Sequence, residues 1–413
     1  MRELRAAVTD WIEKTALPLI TVDASAPLDD LRPLLGMLDR ASVVGYGGGT
    51  RGAHEFFAMQ LRIARLLVGE AGFRAIAFDQ DWTLGVRLDT FVRTGAGDPR
   101  ALLKEADAFT NTAEVLALIE WMRTFNESHP DDPVRFVGVS PARLQRTAYD
   151  AVTDYVHATA PQYSEWVEEQ LAALRPGKDL YTHIGRFLTL ADRKAWIDSA
   201  RAVHDQVADL PGNAWALRNA RLIVQFYELH DHDHRPEDPF NMAYMERAFA
   251  ENIAWWNGHF KQKVLFWSSS SHSSNGPGRA ISFPPKPIRA CPNAGSHLRE
   301  RLGTGYASLG LTFHDGELAT YADTTTYKVP GAAPELAESV LNVEALDAYL
   351  LDLTRARPRP VDEWLSRTAK FRAIGPVYDP SNDGAHHMTG GSPAEWFDAI
   401  VHIPRVTPAR VVP

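Results

Sequence analysis

Residues 41–57 read ASVVGYGGGTRGAHEFF: a short apolar strand, a glycine-dense turn and the opening of an amphipathic helix. Such a turn gathers backbone N–H groups and polar side chains at the carboxyl end of a strand, where α/β proteins bind ligands. The spacing Gly47-x-Gly49-x-x-Gly52 also fits a dinucleotide fingerprint, in which glycines let a pyrophosphate approach a helix N-terminus. The acid that closes the next strand, Asp79, lies somewhat beyond the usual interval of about 20 residues.

Working outward, β-rich apolar runs at 42–46, 73–79, 134–139, 263–267, 306–313, 370–374 and 397–403 alternate with helical patterns such as 54–67 and 113–125. Unbroken apolar runs suit strands buried on both faces of a parallel sheet, and the alternation predicts an α/β fold with a mainly parallel central sheet flanked by helices. Residues 143–260 contain no convincing strand but several long helical patterns, including 214–230 and 242–260. They are expected to form a large helical insertion or lid between two halves of the core, 1–142 and 261–413. SSSSHSSNGPG (268–278) and SNDGAHHMTGGS (381–392) read as mobile loops.

The bulk properties narrow the function. With 413 residues, 45% hydrophobic and 23% charged, the chain can bury a large core. A net charge of −9 argues against a nucleic-acid surface. A single cysteine, Cys291, excludes an intrachain disulfide and a thiolate metal cluster. The charged, amphipathic start MRELRAAVTDWIEK does not resemble a signal peptide, and no apolar run approaches the roughly 20 residues of a membrane span. The expectation is a cytoplasmic protein acting on a small molecule, with no nucleic-acid or membrane partner.

Several motifs have competing readings. Gly138-Val139-Ser140-Pro141-Ala142 resembles a nucleophile elbow, but its last position is alanine, and Ser140-Pro141 is an ordinary N-cap with proline at N1. His230-Asp231-His232-Asp233-His234 could place two histidines on one helix face as metal ligands. Such a run at a polar helix end also complements the helix dipole, and no metal is expected there. Arg51, His54 and Glu55 open a helix, and the serine run around His272 follows a strand directly. Glu55 also suits the helix N-terminus and His54 the solvent. Arg51, Asp79 and the serine run, by contrast, lie at the ends of three strands and are expected to converge on a pocket with the carboxylate and histidine that acid–base chemistry needs.

From about residue 41 to residue 403 the chain resembles the erythromycin esterase family. The family's first block, approximately L-G-E-x-x-H-G-x-x-E-F-F, matches residues 46–57. Its second, a strand ending in glutamate, matches FRAIAFDQDW, with Asp79 in the glutamate position and Arg87 at a family arginine. Its third, W-x-H-N-x-H, matches residues 267–272, a block ending in M-A-E-N matches 249–252, and FDAIVHIP (397–404) is typical of the family's C-terminus. The resemblance implies metal-independent hydrolysis of a macrolide lactone, with a histidine base activating water beside glutamates and further histidines.

The chain departs from that pattern where the chemistry lies. The motif glutamate is Gly48, and the histidine that would activate water is Arg51. The first histidine of the third block is Ser269, the second-block glutamate is shortened to Asp79, and an Arg-Asp pair before M-A-E-N becomes Met245-Glu246. His272, Glu55 and Arg87 stand unchanged. Arginine stays protonated at any working pH and cannot serve as a general base.

The expected function is therefore an enzyme of bacterial natural-product metabolism on this scaffold, acting without a cofactor on a polyketide or peptide. Its chemistry would be non-hydrolytic, such as cyclisation, dehydration or acyl transfer. His272 and Asp79 would transfer protons and Arg51 would hold an anionic or carbonyl group, with His54, Glu55, Arg87, Gly48, Ser269, Ser271 and Glu246 around the substrate. The alternatives are an ester or lactone hydrolase using His272 or His54, an inactive ligand-binding homologue, and a dinucleotide-binding protein.

Overall fold

The computed structural model describes residues 2–233, 242–285, 288–320 and 325–412. Among these the strands run, in chain order, β1 (Leu17–Pro18), β2 (Val43–Gly48), β3 (Phe73–Asp81), β4 (Arg135–Ser140), β5 (Lys263–Trp267), β6 (Ala280–Ser282), β7 (Arg289–Ala290), β8 (Tyr306–Ala319), β9 (Thr326–Val329), β10 (Tyr349–Asp352), β11 (Phe371–Arg372), β12 (His387–Thr389) and β13 (Ala399–Val406). The main sheet has the order β1-β10-β13-β8-β2-β5-β3-β4, with β9 also pairing β8. Every contact from β13 through β8, β2, β5 and β3 to β4 is parallel, and the antiparallel pairs are confined to β1, β9 and β10. The fold is thus a mixed, mainly parallel sheet flanked by helices.

The alternation of side chains along each strand divides the core between two faces. Val44, Tyr46, Ile76, Phe78, Leu265 and Trp267 pack with the helices His54–Ala71 and Ala113–Ser128. Val43, Ala75, Ala77, Val264 and Phe266 pack with residues of the helices Arg146–Thr159, Lys194–Ala208 and Ala214–Asp233. Covering both faces explains why these strands read as continuous apolar runs, since each buried Val, Leu, Ile or Phe contributes about 1.5–3 kcal/mol. The helices between β4 and β5 share a core with one sheet face, and only some of their residues reach the carboxyl edge of the sheet.

Three sequence expectations are corrected. Residues 370–374 do not join the parallel sheet: Phe371–Arg372 pairs antiparallel with β12 in a four-stranded sheet ordered β11-β12-β6-β7. Residues 381–392 are an ordered turn and strand rather than a loose loop, because Asp383 holds the buried Arg372 guanidinium at 2.7 Å and accepts from the Tyr378 hydroxyl at 2.8 Å. The serine run is also ordered. Ser268, Ser269 and Ser270 are buried, and Ser270–Ser273 form a single helical turn.

The glycines of the opening motif owe their identity to close packing of backbone. A Cβ at Gly47 would lie 1.9 Å from the Ser268 carbonyl oxygen, one at Gly49 2.0 Å from that of Arg372, and one at Gly52 1.8 Å from that of Ala319. The N-terminus of the following helix is covered by the chain's own C-terminal residues, with the His54 amide donating to the Thr407 carbonyl at 2.8 Å. This geometry leaves no cradle for a pyrophosphate and rejects the dinucleotide reading. No helix among the described residues is long and apolar enough to cross a membrane.

Candidate functional site

The carboxyl ends of β2, β5, β3 and β4 open into a cavity of about 430 Å³. Its polar lining includes Arg51 after β2, Ser269, Ser271 and His272 after β5, Asp79 and Asp81 at the end of β3, and Ser140 at the end of β4. Thr50, Asp107 and Arg143 complete the polar set, and Phe109, Met242, Met245, Phe249, Phe283 and Ile374 make much of the wall apolar. Parallel strands bring all these ends to one edge, which is why residues far apart in sequence meet there.

The serine run is fixed from below. Ser270 Oγ donates to the Gly47 carbonyl at 2.7 Å, Ser273 Oγ to the Ser269 carbonyl at 3.0 Å, and Asn293 Nδ2 to the Ser271 carbonyl at 3.1 Å. Ser269 Oγ and Ser271 Oγ lie 2.6 Å apart at the cavity. This framework sets the position of His272. Its Nδ1 is 2.8 Å from Glu246 Oε1, and Phe249 packs edge-on against its ring at 5.8 Å.

Glu246 is fully buried behind His272 and outside the cavity lining; its Oε1 also pairs with Arg279 Nη2 at 3.1 Å, and its Oε2 accepts from the Ala294 amide at 2.9 Å. Burial alone would push this carboxyl up. The charges of His272 and Arg279, with the bonds from His272 and Ala294, outweigh it and hold the pKa below the usual glutamate value. A carboxylate behind Nδ1 fixes the tautomer that presents Nε2 to the cavity as a proton acceptor.

Arg51 and Asp79 form a nearly buried pair. Arg51 Nη1 donates to Asp79 Oδ1 at 3.0 Å, its Nη2 contacts Asp79 Oδ2, and its guanidinium lies 4.0 Å above the Phe109 ring. Ser268 Oγ donates to Asp79 Oδ2 at 2.7 Å, so both carboxylate oxygens are engaged. The space beside Gly48 is occupied by the Phe56 ring, which a Cβ at that position would meet at 2.1 Å.

The remaining candidates lie elsewhere. His54 Nδ1 is 2.7 Å from Glu114 Oε1 on the helix Ala113–Ser128, and Glu55 accepts from the Thr407 amide and hydroxyl, each at 2.6 Å, so Glu55 ties the C-terminal residues to the core. Arg87 pairs with Glu105 on a half-exposed surface. His54, Glu55 and Arg87 are not part of the cavity wall. Ser140 does not cap a helix: its Oγ accepts from the Ala142 amide at 3.2 Å, and the next helix begins only at Arg146. His230 Nε2 is 3.0 Å from the Ala142 carbonyl and Asp231 pairs with Arg193 at 3.2 Å, whereas His234 lies outside the described residues. Among the described residues no group of three or more His, Cys, Asp or Glu side chains could hold a metal.

Sequence reasoning missed Asp81, Asp107 and Arg143. Asp81 caps the helix Trp82–Thr94 by accepting from the Leu84 amide at 3.0 Å, and its acid-Trp-Thr-Leu context after a strand was a readable N-cap signal. Burial pushes its pKa up to about 6, against the pull of its bonds to Thr83 and Leu84 and the charge of Arg143. Asp107 is likewise raised, chiefly by burial, with Arg143 pulling it back from 3.0 Å away. Nothing local in the sequence marks Asp107 or Arg143.

The erythromycin esterase family model matches residues 68–406. "Putative hydrolase YbfO" of Bacillus subtilis (strain 168) is 22% identical over 390 residues, covering 87% of this chain and 85% of its own length. Erythromycin esterase type II of Escherichia coli is 19% identical over 338 residues, covering 75% and 78%. Among solved structures, one described as a succinoglycan biosynthesis protein is 26% identical, with a TM-score of 0.84 over 99% of both chains. A mutant of the erythromycin esterase EreC in its open conformation shares the fold, with a TM-score of 0.70 at 14% identity over 93% of this chain and 95% of that one.

Proposed function

Because the chain belongs to the erythromycin esterase family, a hydrolase-like family, we propose that it is an enzyme that transforms a small natural product, a polyketide or peptide, by proton transfer at His272 without activating water by the family's route. The observation that carries this reading is position 51. Where the family block has its histidine, this chain has an arginine locked to Asp79 and stacked on Phe109. That side chain has no lone pair to offer, and losing a general base costs about 10²–10⁴ in rate. His272, backed by Glu246, supplies the remaining basic nitrogen in the cavity wall.

In this account His272 Nε2 removes a proton from the substrate and returns it later in the reaction. Cyclisation, dehydration and acyl transfer within the bound molecule all use such a base while the substrate's own groups act as nucleophile and leaving group. Asp79, with both oxygens engaged, holds Arg51 in place and does not itself carry protons. The Ser269 and Ser271 hydroxyls hydrogen-bond the substrate, and the apolar wall excludes water from its body. A panel of macrolide and simpler lactones incubated in ¹⁸O-labelled water tests the reading. Unopened lactones are expected, and labelled hydroxy acids would reject it.

Ester hydrolysis by His272 is the second reading, favoured by the His272–Glu246 pair, since an imidazole so oriented can also deprotonate water. It requires those labelled acids, and their loss in His272→Ala.

A further inference from the structure

We propose that Arg279 is a positioning residue for the proposed chemistry, whose fixed charge keeps the His272–Glu246 pair from capturing a proton and so leaves His272 free to act as a base. The inference deepens the proton-transfer reading above and rests on His272 being that base. Glu246 Oε1 faces two groups at once, His272 Nδ1 at 2.8 Å and Arg279 Nη2 at 3.1 Å. Oε2 accepts from the Ala294 amide, a neutral donor, at 2.9 Å. The Glu246 and Arg279 side chains are 0% and 1% exposed, so water screens neither, and the carboxylate must be balanced by a charge on the protein. An arginine supplies that charge at every working pH, whereas an imidazole supplies it only by taking up a proton. With Arg279 in place, Glu246 is balanced, and the guanidinium also opposes a second positive charge on the neighbouring ring. Without it, His272 is left to balance Glu246, and a histidine protonated on both nitrogens has no lone pair for the substrate.

The surrounding groups leave this role to Arg279. Cys291 Sγ lies 2.7 Å from Arg279 Nη2, and the Cys291 carbonyl accepts from Arg279 Nε at 3.4 Å, which fixes the guanidinium. His297, on the helix Ala294–Leu302, feels the Glu246 charge, but burial holds its pKa below the usual histidine value. Burial holds the Tyr306 hydroxyl, on β8, well above the usual tyrosine value. Neither carries charge near neutral pH. Arg247 and Glu300 act on His297 with opposite signs, and Arg299, over the Tyr306 ring, is paired with Asp398. On the cavity wall, Arg51 and Asp79 are closed on each other.

The test is the proton-binding midpoint of the His272 ring, read by ¹H–¹⁵N NMR titration of the full-length protein with the signal assigned by His272→Ala. Arg279→Met, which keeps much of the side-chain length and loses the charge, should raise the midpoint by at least about one pH unit. Arg279→Lys, which keeps the charge, should stay within about half a unit of wild type. Glu246→Gln should move the midpoint the other way, and adding Arg279→Met to Glu246→Gln should raise it again. That last comparison holds even where Arg279→Met alone does not fold, because the double variant leaves no unbalanced charge in the core. The titration needs no substrate, so a failure of the proton-transfer reading, seen as turnover that survives His272→Ala, is distinguished from a failure of this one. A midpoint that Arg279→Met leaves in place or lowers, that Arg279→Lys shifts as far as Arg279→Met does, or that is the same in Glu246→Gln and the double variant would overturn the inference.

Discussion

Glu246→Gln exchanges a carboxylate oxygen for an NH₂ group at a point where three donors converge. His272 Nδ1, the Arg279 guanidinium and the Ala294 amide lie 2.8, 3.1 and 2.9 Å from the Glu246 oxygens. A glutamine oxygen can accept from at most two of them, and its NH₂ group must then face the third. The change also leaves the Arg279 guanidinium, 1% exposed, without its counter-charge. Breaking a buried pair in this way costs about 3–5 kcal/mol of stability. The imidazole would lose the partner that fixes its tautomer, and turnover should fall by about 10²–10⁴.

Two measurements follow from this. Long-range ¹H–¹⁵N NMR of the histidine rings, with His272 assigned by substitution, should show the Nδ1–H tautomer in wild-type protein and a mixed or inverted one in Glu246→Gln. Denaturant unfolding should show the stability deficit, with a defined dependence on pH. The folded-state pKa of Glu246 lies below its free value of 4.5, so its contribution is complete above that value and is lost as pH falls through the folded one. The deficit of the variant should therefore shrink on acidification below 4.5. An unchanged tautomer, or stability within about 0.5 kcal/mol of wild type, would refute the assignment of Glu246 as the group that orients His272.

Other expectations can be checked with purified protein. Arg51→Ala should destabilise by about 3–5 kcal/mol because Asp79 is left buried without its cation; adding Asp79→Asn should recover part of that loss in a double-mutant cycle, and simple additivity would contradict the pairing. Gly52→Ala should cost at least about 1–3 kcal/mol, since its Cβ would meet the Ala319 carbonyl oxygen at 1.8 Å, and NAD(P)H titration of wild-type protein should show no binding. Asp81, raised from 3.8 to about 6, favours folding most when protonated, and this advantage is lost as pH rises through that window. Asp81→Asn should flatten the stability curve between those values, and an unchanged curve would contradict the burial of that carboxyl.

The fold was legible wherever the side-chain pattern is set by burial on both faces of a strand. β2, β3, β4, β5, β8 and β13 each coincide with an apolar run, and the long helices on either side follow a helical period. The short antiparallel strands β6, β7 and β12 escaped, and β11 was expected within 370–374 but in the wrong sheet, because these strands are two or three residues long and take their conformation from pairing with distant segments. The serine run misled for a related reason. Ser, Asn and Gly favour turns locally, yet here the hydroxyls satisfy buried carbonyls and the segment becomes rigid.

The site was legible where family blocks end strands, and so Arg51, Asp79, Ser269, Ser271 and His272 meet in one cavity. The same blocks also contain residues that hold the scaffold together. Glu55 fastens Thr407, His54 pairs with Glu114, and Arg87 pairs with Glu105. Motif membership cannot separate the two groups, because Arg51 and the scaffold residues His54 and Glu55 stand in one block, within a few residues of the same helix start. Asp107 and Arg143 come from connections whose course is fixed by tertiary packing, so no local pattern announces them.

The most direct test of a scaffold retained and a chemistry changed is to expose a bacterial small-molecule extract to wild-type protein and to His272→Ala in ¹⁸O-labelled water. Mass spectrometry would then compare every compound consumed or formed. Products made by wild-type protein and not by His272→Ala are expected to be isomeric with their precursors, dehydrated or acyl-exchanged, and free of label. Labelled products that have gained water, or products that form equally with His272→Ala, would contradict it.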